Sequence, residues 1–151
     1  MLIKIYFRYK FWLLVTFYLS GKSKESEVPK MRYIYYDSKT GNVERFINKL
    51  RPLKSWVFIK INDEVIAENK GHLVTYTTNF GEIPLNTQKF LEKYHDKLLS
   101  VSSSGNMNWG KLYSLAADKI SESYNVPVLL KFELSGLKTD VEQFINRVEE
   151  K

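Results

Sequence analysis

At 151 residues, 44% hydrophobic and 15% aromatic, the chain can fill one core, which fits a single domain and excludes a generally disordered polypeptide. It has no cysteine, so disulfides, thiolate metal sites and cysteine nucleophiles are excluded, and its two histidines, His72 and His95, lie far apart in sequence and disfavour a zinc site or a Ser-His-Asp triad. Of the formal charge of +6, residues 1–30 carry +4 (six Lys/Arg against two Glu), leaving +2 for residues 31–151, so the basic character argues little for nucleic-acid binding by the remainder.

Residues 1–19 read MLIKIYFRYKFWLLVTFYL. The apolar run Phe11 to Leu19 is nine residues, too short to cross a bilayer, which takes about 20. Lys4, Arg8 and Lys10 ahead of it resemble a signal peptide, but no small-x-small cleavage site follows. A polar linker, GKSKESEVPK, leads to Met31. Residues 1–30 are expected to stand outside the fold, with Met31 as the natural start or the start of the folded unit. The competing reading is a membrane-surface anchor built from the aromatic and basic residues.

From Met31 onward, RYIYY (32–36) is rich in strand formers. DSKTGN breaks it, and Val43, Phe46, Ile47 and Leu50 then recur at helical spacing until Pro52. Residues 56–61 form a second strand, NDEVIAENKG a polar connection, and HLVTY (72–76) a third strand. Pro84 suits the first turn of a helix carrying Leu85, Phe90 and Leu91. Residues 98–101 predict a short fourth strand, and Leu112, Leu115, Ala116 and Ile120 mark a helix. PVLLKF (127–132) is the fifth strand, and Thr139 with Glu142 predicts a capping box before a last helix. The order β-α-β-β-α-β-α-β-α predicts an α/β fold: a doubly wound five-stranded parallel sheet with helices on both faces. Such sheets bind ligands at the carboxyl ends of their strands.

Three loops fall at those ends. Asp37-Ser38-Lys39-Thr40-Gly41-Asn42 precedes a helix, where free N–H groups and the helix dipole favour a phosphate. Neither GxxxxGK[ST] nor GxGxxG is present, so a monophosphate held by neutral donors fits better than a nucleoside triphosphate or a dinucleotide. The same residue types also make an ordinary helix cap and turn. The second loop is Thr75-Tyr76-Thr77-Thr78-Asn79-Phe80-Gly81-Glu82, and the third is Ser102-Ser103-Ser104-Gly105-Asn106-Met107-Asn108-Trp109-Gly110. Glycine, amides, hydroxyls and aromatics together suit a flat heteroaromatic ligand. Taken singly, Tyr76, Phe80 and Trp109 each fit ordinary packing at a strand end better; all three beside glycine-bearing loops on one predicted sheet edge shift the balance toward a ligand.

DSKTGNVERFI, LVTYTTNFGE, SSSGNMNWG and VPVLLKFELSG, in this order and spacing, resemble the NrdI family over residues 32–148. The resemblance implies a flavodoxin-like fold and an FMN cofactor. It places the FMN phosphate at Ser38, Lys39, Thr40, Gly41, Asn42 and Val43. It places the isoalloxazine ring between Thr75, Tyr76, Thr77, Thr78, Asn79, Phe80 and Gly81 on one side, and Ser104, Gly105, Asn106, Asn108, Trp109 and Gly110 on the other. It implies a cytoplasmic redox activator whose reduced flavin converts dioxygen to a superoxide-level oxidant. That oxidant serves the dimanganese-tyrosyl radical cofactor of the class Ib ribonucleotide reductase small subunit. The implied partners are that subunit and an electron donor for the flavin, with no catalytic side chain, resident metal, nucleic acid or membrane required. Many relatives have Gly-Phe-Gly in the second loop; here Asn79 takes the first glycine position, a candidate for a redox-linked peptide flip. The rival readings are a general electron-transfer flavodoxin, usually strongly acidic, and a cofactor-free binding domain on the same fold.

Overall fold

The computed structural model describes residues 30–151. The expectations for residues 1–29 lie outside the described residues. Five strands, β1 (Tyr33–Tyr36), β2 (Val57–Lys60), β3 (Gly71–Tyr76), β4 (Leu98–Gly105) and β5 (Val128–Glu133), pair in parallel in the order β2-β1-β3-β4-β5. Four helices follow the alternation: α1 (Asn42–Leu50), α2 (Leu85–Tyr94), α3 (Leu115–Tyr124) and α4 (Lys138–Glu149). The expected doubly wound parallel architecture is therefore the observed one. None of the helices among the described residues is long and apolar enough to cross a membrane.

The helices divide between two faces according to their apolar stripes. Val43, Phe46, Ile47 and Leu50 of α1 join Val141, Phe144 and Val148 of α4 over Ile34, Val74, Leu130 and Phe132. Phe90 and Leu91 of α2 join Ala117 and Ile120 of α3 over Tyr35, Leu73 and Val101. The chain thus leaves β1 toward one face and β3 toward the other, although β1 and β3 are neighbours. Their carboxyl ends flank the crevice that this divergence opens.

The β2–β3 crossover passes β1 with no helix, as the predicted element order has it; it buries Ile61 and Ala67 and is tied down by the Tyr35 hydroxyl donating to the Asn69 carbonyl at 2.8 Å. Two local features differ from the sequence expectation. Strand β4 extends through Ser102, Ser103 and Ser104, which the sequence pattern assigned to a loop. Serine is a poor strand former, but these residues lie between β3 and β5 and pair with both, so tertiary pairing overrides propensity. Finally, α4 starts two residues earlier than a Thr139 cap allows: the Asp140 carboxylate accepts the Leu137 N–H at 2.6 Å, in place of the expected Thr139–Glu142 box.

Candidate cofactor site

The crevice is built from the first loop upward. Gly41 sits at φ +86°, a conformation that side chains oppose, and turns the chain from β1 into α1. Ser38 Oγ accepts the Glu44 N–H at 3.1 Å and so keeps its own proton to donate. The backbone N–H groups of residues 39–43 make no hydrogen bond among the described residues, as expected of a helix start awaiting an acceptor. Arg45 is turned aside onto Asn42 Oδ1 at 2.6 Å. The far side of α1 is fixed to the sheet: Glu44 accepts from the Tyr36 hydroxyl at 3.0 Å and pairs with Lys60 at 2.8 Å. The Lys60 ammonium beside it lowers the Glu44 carboxyl below its ordinary range.

The second loop is closed by reciprocal backbone bonds between Thr78 and Glu82, at 3.0 and 2.8 Å. Asn79 takes φ +45° there, and its side-chain amide donates to Glu82 at 3.1 Å. This is left-handed backbone, which asparagine tolerates better than most residues. The third loop leaves β4 at Gly105. A β-carbon on Gly105 would stand 2.5 Å from the Ser114 nitrogen, so only glycine lets the start of α3 approach. Ser114 Oγ in turn donates to the Ser103 carbonyl, and Thr77 Oγ1 accepts the Ala116 N–H, binding the second and third loops to α3.

These loops meet in a cleft of about 330 Å³. Ser38, Lys39, Thr40, Asn42 and Val43 line it from the first loop; Tyr76, Thr77, Thr78 and Asn79 from the second; Ser104, Gly105, Asn106 and Trp109 from the third. Lys39 is the one cation among the lining residues. Burial, with the Asp37 charge second, pushes the Tyr76 hydroxyl up to about 12, so it stays neutral and can donate at physiological pH. Six expected residues stand outside the lining. Gly41 shapes the turn. Thr75 is wholly buried behind the cleft, its hydroxyl 2.7 Å from that of Thr87. Phe80, 86% exposed, lines an adjoining apolar groove with Asn79, Glu82, Trp109 and Leu112. Gly81 packs toward Leu115, the Asn108 N–H donates to Asn106 Oδ1, and Gly110 makes a kink at φ +51°. One lining residue was missed: Leu134, just past β5, is held at φ +48° by Ser104 Oγ donating to its carbonyl and by its own N–H on the Gly105 carbonyl.

The sequence profile described as NrdI Flavodoxin like matches residues 34–146. The chain belongs to the NrdI flavodoxin-like family. It is 48% identical over 119 residues to the protein NrdI of Bacillus licheniformis, covering 79% of this chain and 88% of that one. It is 44% identical over 114 residues to the SPbeta prophage-derived protein NrdI of Bacillus subtilis, covering 76% and 88%. Among solved structures it is similar to a short-chain flavodoxin associated with a bacterial microcompartment (TM-score 0.62, 18% identity, 79% of this chain and 94% of that one). It is also similar to a Streptococcus pneumonia flavodoxin (TM-score 0.58, 23% identity, 80% and 96%). At those identities the likeness establishes the fold. The cofactor of the NrdI family is FMN.

The residues present fit that cofactor. Five unspent amides, the Ser38 and Thr40 hydroxyls and one lysine are a donor set for a phosphate held largely by neutral groups. The cleft volume falls within the range of small-molecule sites, about 300–1,000 Å³. Its other end, between Asn79 and Trp109, combines an aromatic face with backbone and amide groups able to read a polar ring edge.

Proposed function

We propose that this chain is the redox activator of a class Ib ribonucleotide reductase, working in the cytoplasm with the dimanganese small subunit as partner and a separate protein as electron donor. Residues 38–43 would hold the FMN phosphate, while Tyr76 to Asn79 and Ser104 to Trp109, with Leu134, would flank the ring. When bound and reduced, FMN supplies one-electron chemistry toward dioxygen, the source of a superoxide-level oxidant for the small subunit. The side chains of the cleft bind and orient. Asn79 and Trp109 line both the cleft and the apolar groove beside it, and this shared wall is the observation that carries the reading. It leaves the ring end of the site beside a largely apolar groove, with Phe80 exposed on it.

The test mixes the reduced protein, dioxygen and the manganese-loaded small subunit, and follows tyrosyl radical by electron paramagnetic resonance. The expected result is radical that depends on the protein. No radical above the protein-free control, with a competent subunit, favours a general electron-transfer flavodoxin instead.

Residues 1–30, on this reading, stand outside the cofactor-binding unit. Deleting them is expected to leave unfolding stability and FMN affinity unchanged; an insoluble or flavin-free product would make the segment part of that unit.

A further inference from the structure

Asp37 directly follows β1, just ahead of the phosphate loop, and is only 3% exposed. Its Oδ2 accepts the Thr87 hydroxyl at 2.9 Å. Because Thr87 spends its proton on Asp37, the Thr75 hydroxyl 2.7 Å away must donate to Thr87. Thr87 belongs to the first turn of α2. Asp37 therefore clamps the phosphate loop to α2. It also lines a second cavity that shares Ser38, Lys39, Tyr76, Thr78 and Asn79 with the cofactor cleft. A buried carboxylate thus adjoins a cradle built for a phosphate, and two negative charges in a low-dielectric setting oppose each other strongly.

We propose that Asp37 sets cofactor affinity through its charge: the phosphate end of FMN binds against protonated Asp37, one proton being taken from solvent, so that binding weakens as pH rises. The proposal rests on the reading of residues 38–43 as the phosphate cradle. Burial already holds the Asp37 carboxyl above the ordinary carboxylate range, against the pull of the Thr87 hydrogen bond and the Lys60 charge. A phosphate alongside moves it further the same way. Between the free and loaded titrations, each FMN bound takes up as much as about one proton, and affinity falls up to about tenfold per pH unit. The other groups around Asp37 leave this balance in place. Lys60 of β2 is committed to Glu44 of α1, and the Tyr76 hydroxyl of β3 is neutral. Lys39 lines the same cavity, and α2 presents the uncharged Thr87, with Pro84, Leu85 and Asn86 along the cavity wall.

The experiment is calorimetric titration of the flavin-free full chain with FMN, and with riboflavin, in two buffers of different ionisation enthalpy between about pH 5 and about pH 8. In the wild type, FMN binding is expected to take up protons and riboflavin binding none. Asp37→Asn should lose the Asp37 share of the uptake and keep only what the phosphate's own second ionisation, at about pH 6, contributes, and the wild-type to variant ratio of FMN dissociation constants should grow with pH by up to about tenfold per unit. Thr87→Val removes a donor to the ionised form and should move the uptake to higher pH, with Thr87→Ser restoring it; this pair decides the matter if Asp37→Asn fails to fold. FMN bound more tightly than riboflavin, but with the same proton count in wild type and Asp37→Asn, or an unmoved profile in Thr87→Val, overturns the proposal alone. Equal affinity for FMN and riboflavin overturns the phosphate cradle itself.

Discussion

Replacing Phe46 by alanine is expected to lower the unfolding free energy by about 3–5 kcal/mol. Phe46 is fully buried on the inner face of α1, stacked on Phe132 with ring centroids 4.1 Å apart and edge-on to Phe144 at 5.4 Å. Truncation removes both aromatic contacts and leaves a void between α1, α4 and the sheet, which close packing around Ile34, Ile47 and Val148 would not refill. Domains of this size are stable by only about 5–15 kcal/mol in total, so the loss is a large share. Because α1 begins at the phosphate loop, loosening it should also weaken FMN, and excess FMN should recover part of the stability. Urea unfolding of the flavin-free protein measures the effect. A loss below about 1 kcal/mol would mean that this face of α1 is not packed as described.

Thr40→Val is expected to separate binding from folding, and Gly41→Val to cost both. Thr40 is exposed, so removing its hydroxyl should change stability by less than about 0.5 kcal/mol. A lost hydrogen bond to a charged group is worth about 1.5–3 kcal/mol, so FMN affinity should fall about ten- to a hundredfold. Gly41→Val costs affinity at least as heavily, but it also costs folding. At φ +86° a β-branched residue is strained by about 1–3 kcal/mol, and its β-carbon would meet the Arg45 guanidinium at 3.0 Å, a contact that the flexible side chain can relieve. Fluorescence titration with FMN, alongside urea unfolding, reads both quantities. Equal FMN affinity in wild type and Thr40→Val would move the phosphate away from this loop.

Much of this architecture is legible in the residues because local and global signals agree. The alternation of β-branched and aromatic runs with 3.6-spaced apolar residues determines strand and helix order, and each of the five strands begins within a residue of where its pattern puts it. The loops at the carboxyl ends were readable through Gly41, Gly105 and their polar neighbours, whose types only make sense where backbone must turn or approach closely. What escaped was decided by tertiary contact. The serines of β4 look like a loop until β3 and β5 pair on either side of them. Leu134 shows no sign of a left-handed conformation in its identity; Ser104 and Gly105, thirty residues away, impose it. Asp37 looks like the first residue of a polar turn, and only the packing of α2 reveals a buried carboxylate tied to Thr87. Phe80 has the composition of a stacking residue, yet the closed Thr78–Glu82 turn carries it out of the cleft.

The most direct measurement is a crystal structure of the FMN-loaded protein. The arrangement of the three loops predicts the phosphate within hydrogen-bond distance of the backbone N–H groups of residues 39–43 and of the Thr40 hydroxyl, and the isoalloxazine ring between Asn79 and Trp109 with an edge facing the groove lined by Phe80 and Leu112. Density for the phosphate away from residues 38–43, or a ring lying outside the Asn79–Trp109 cleft, would contradict it.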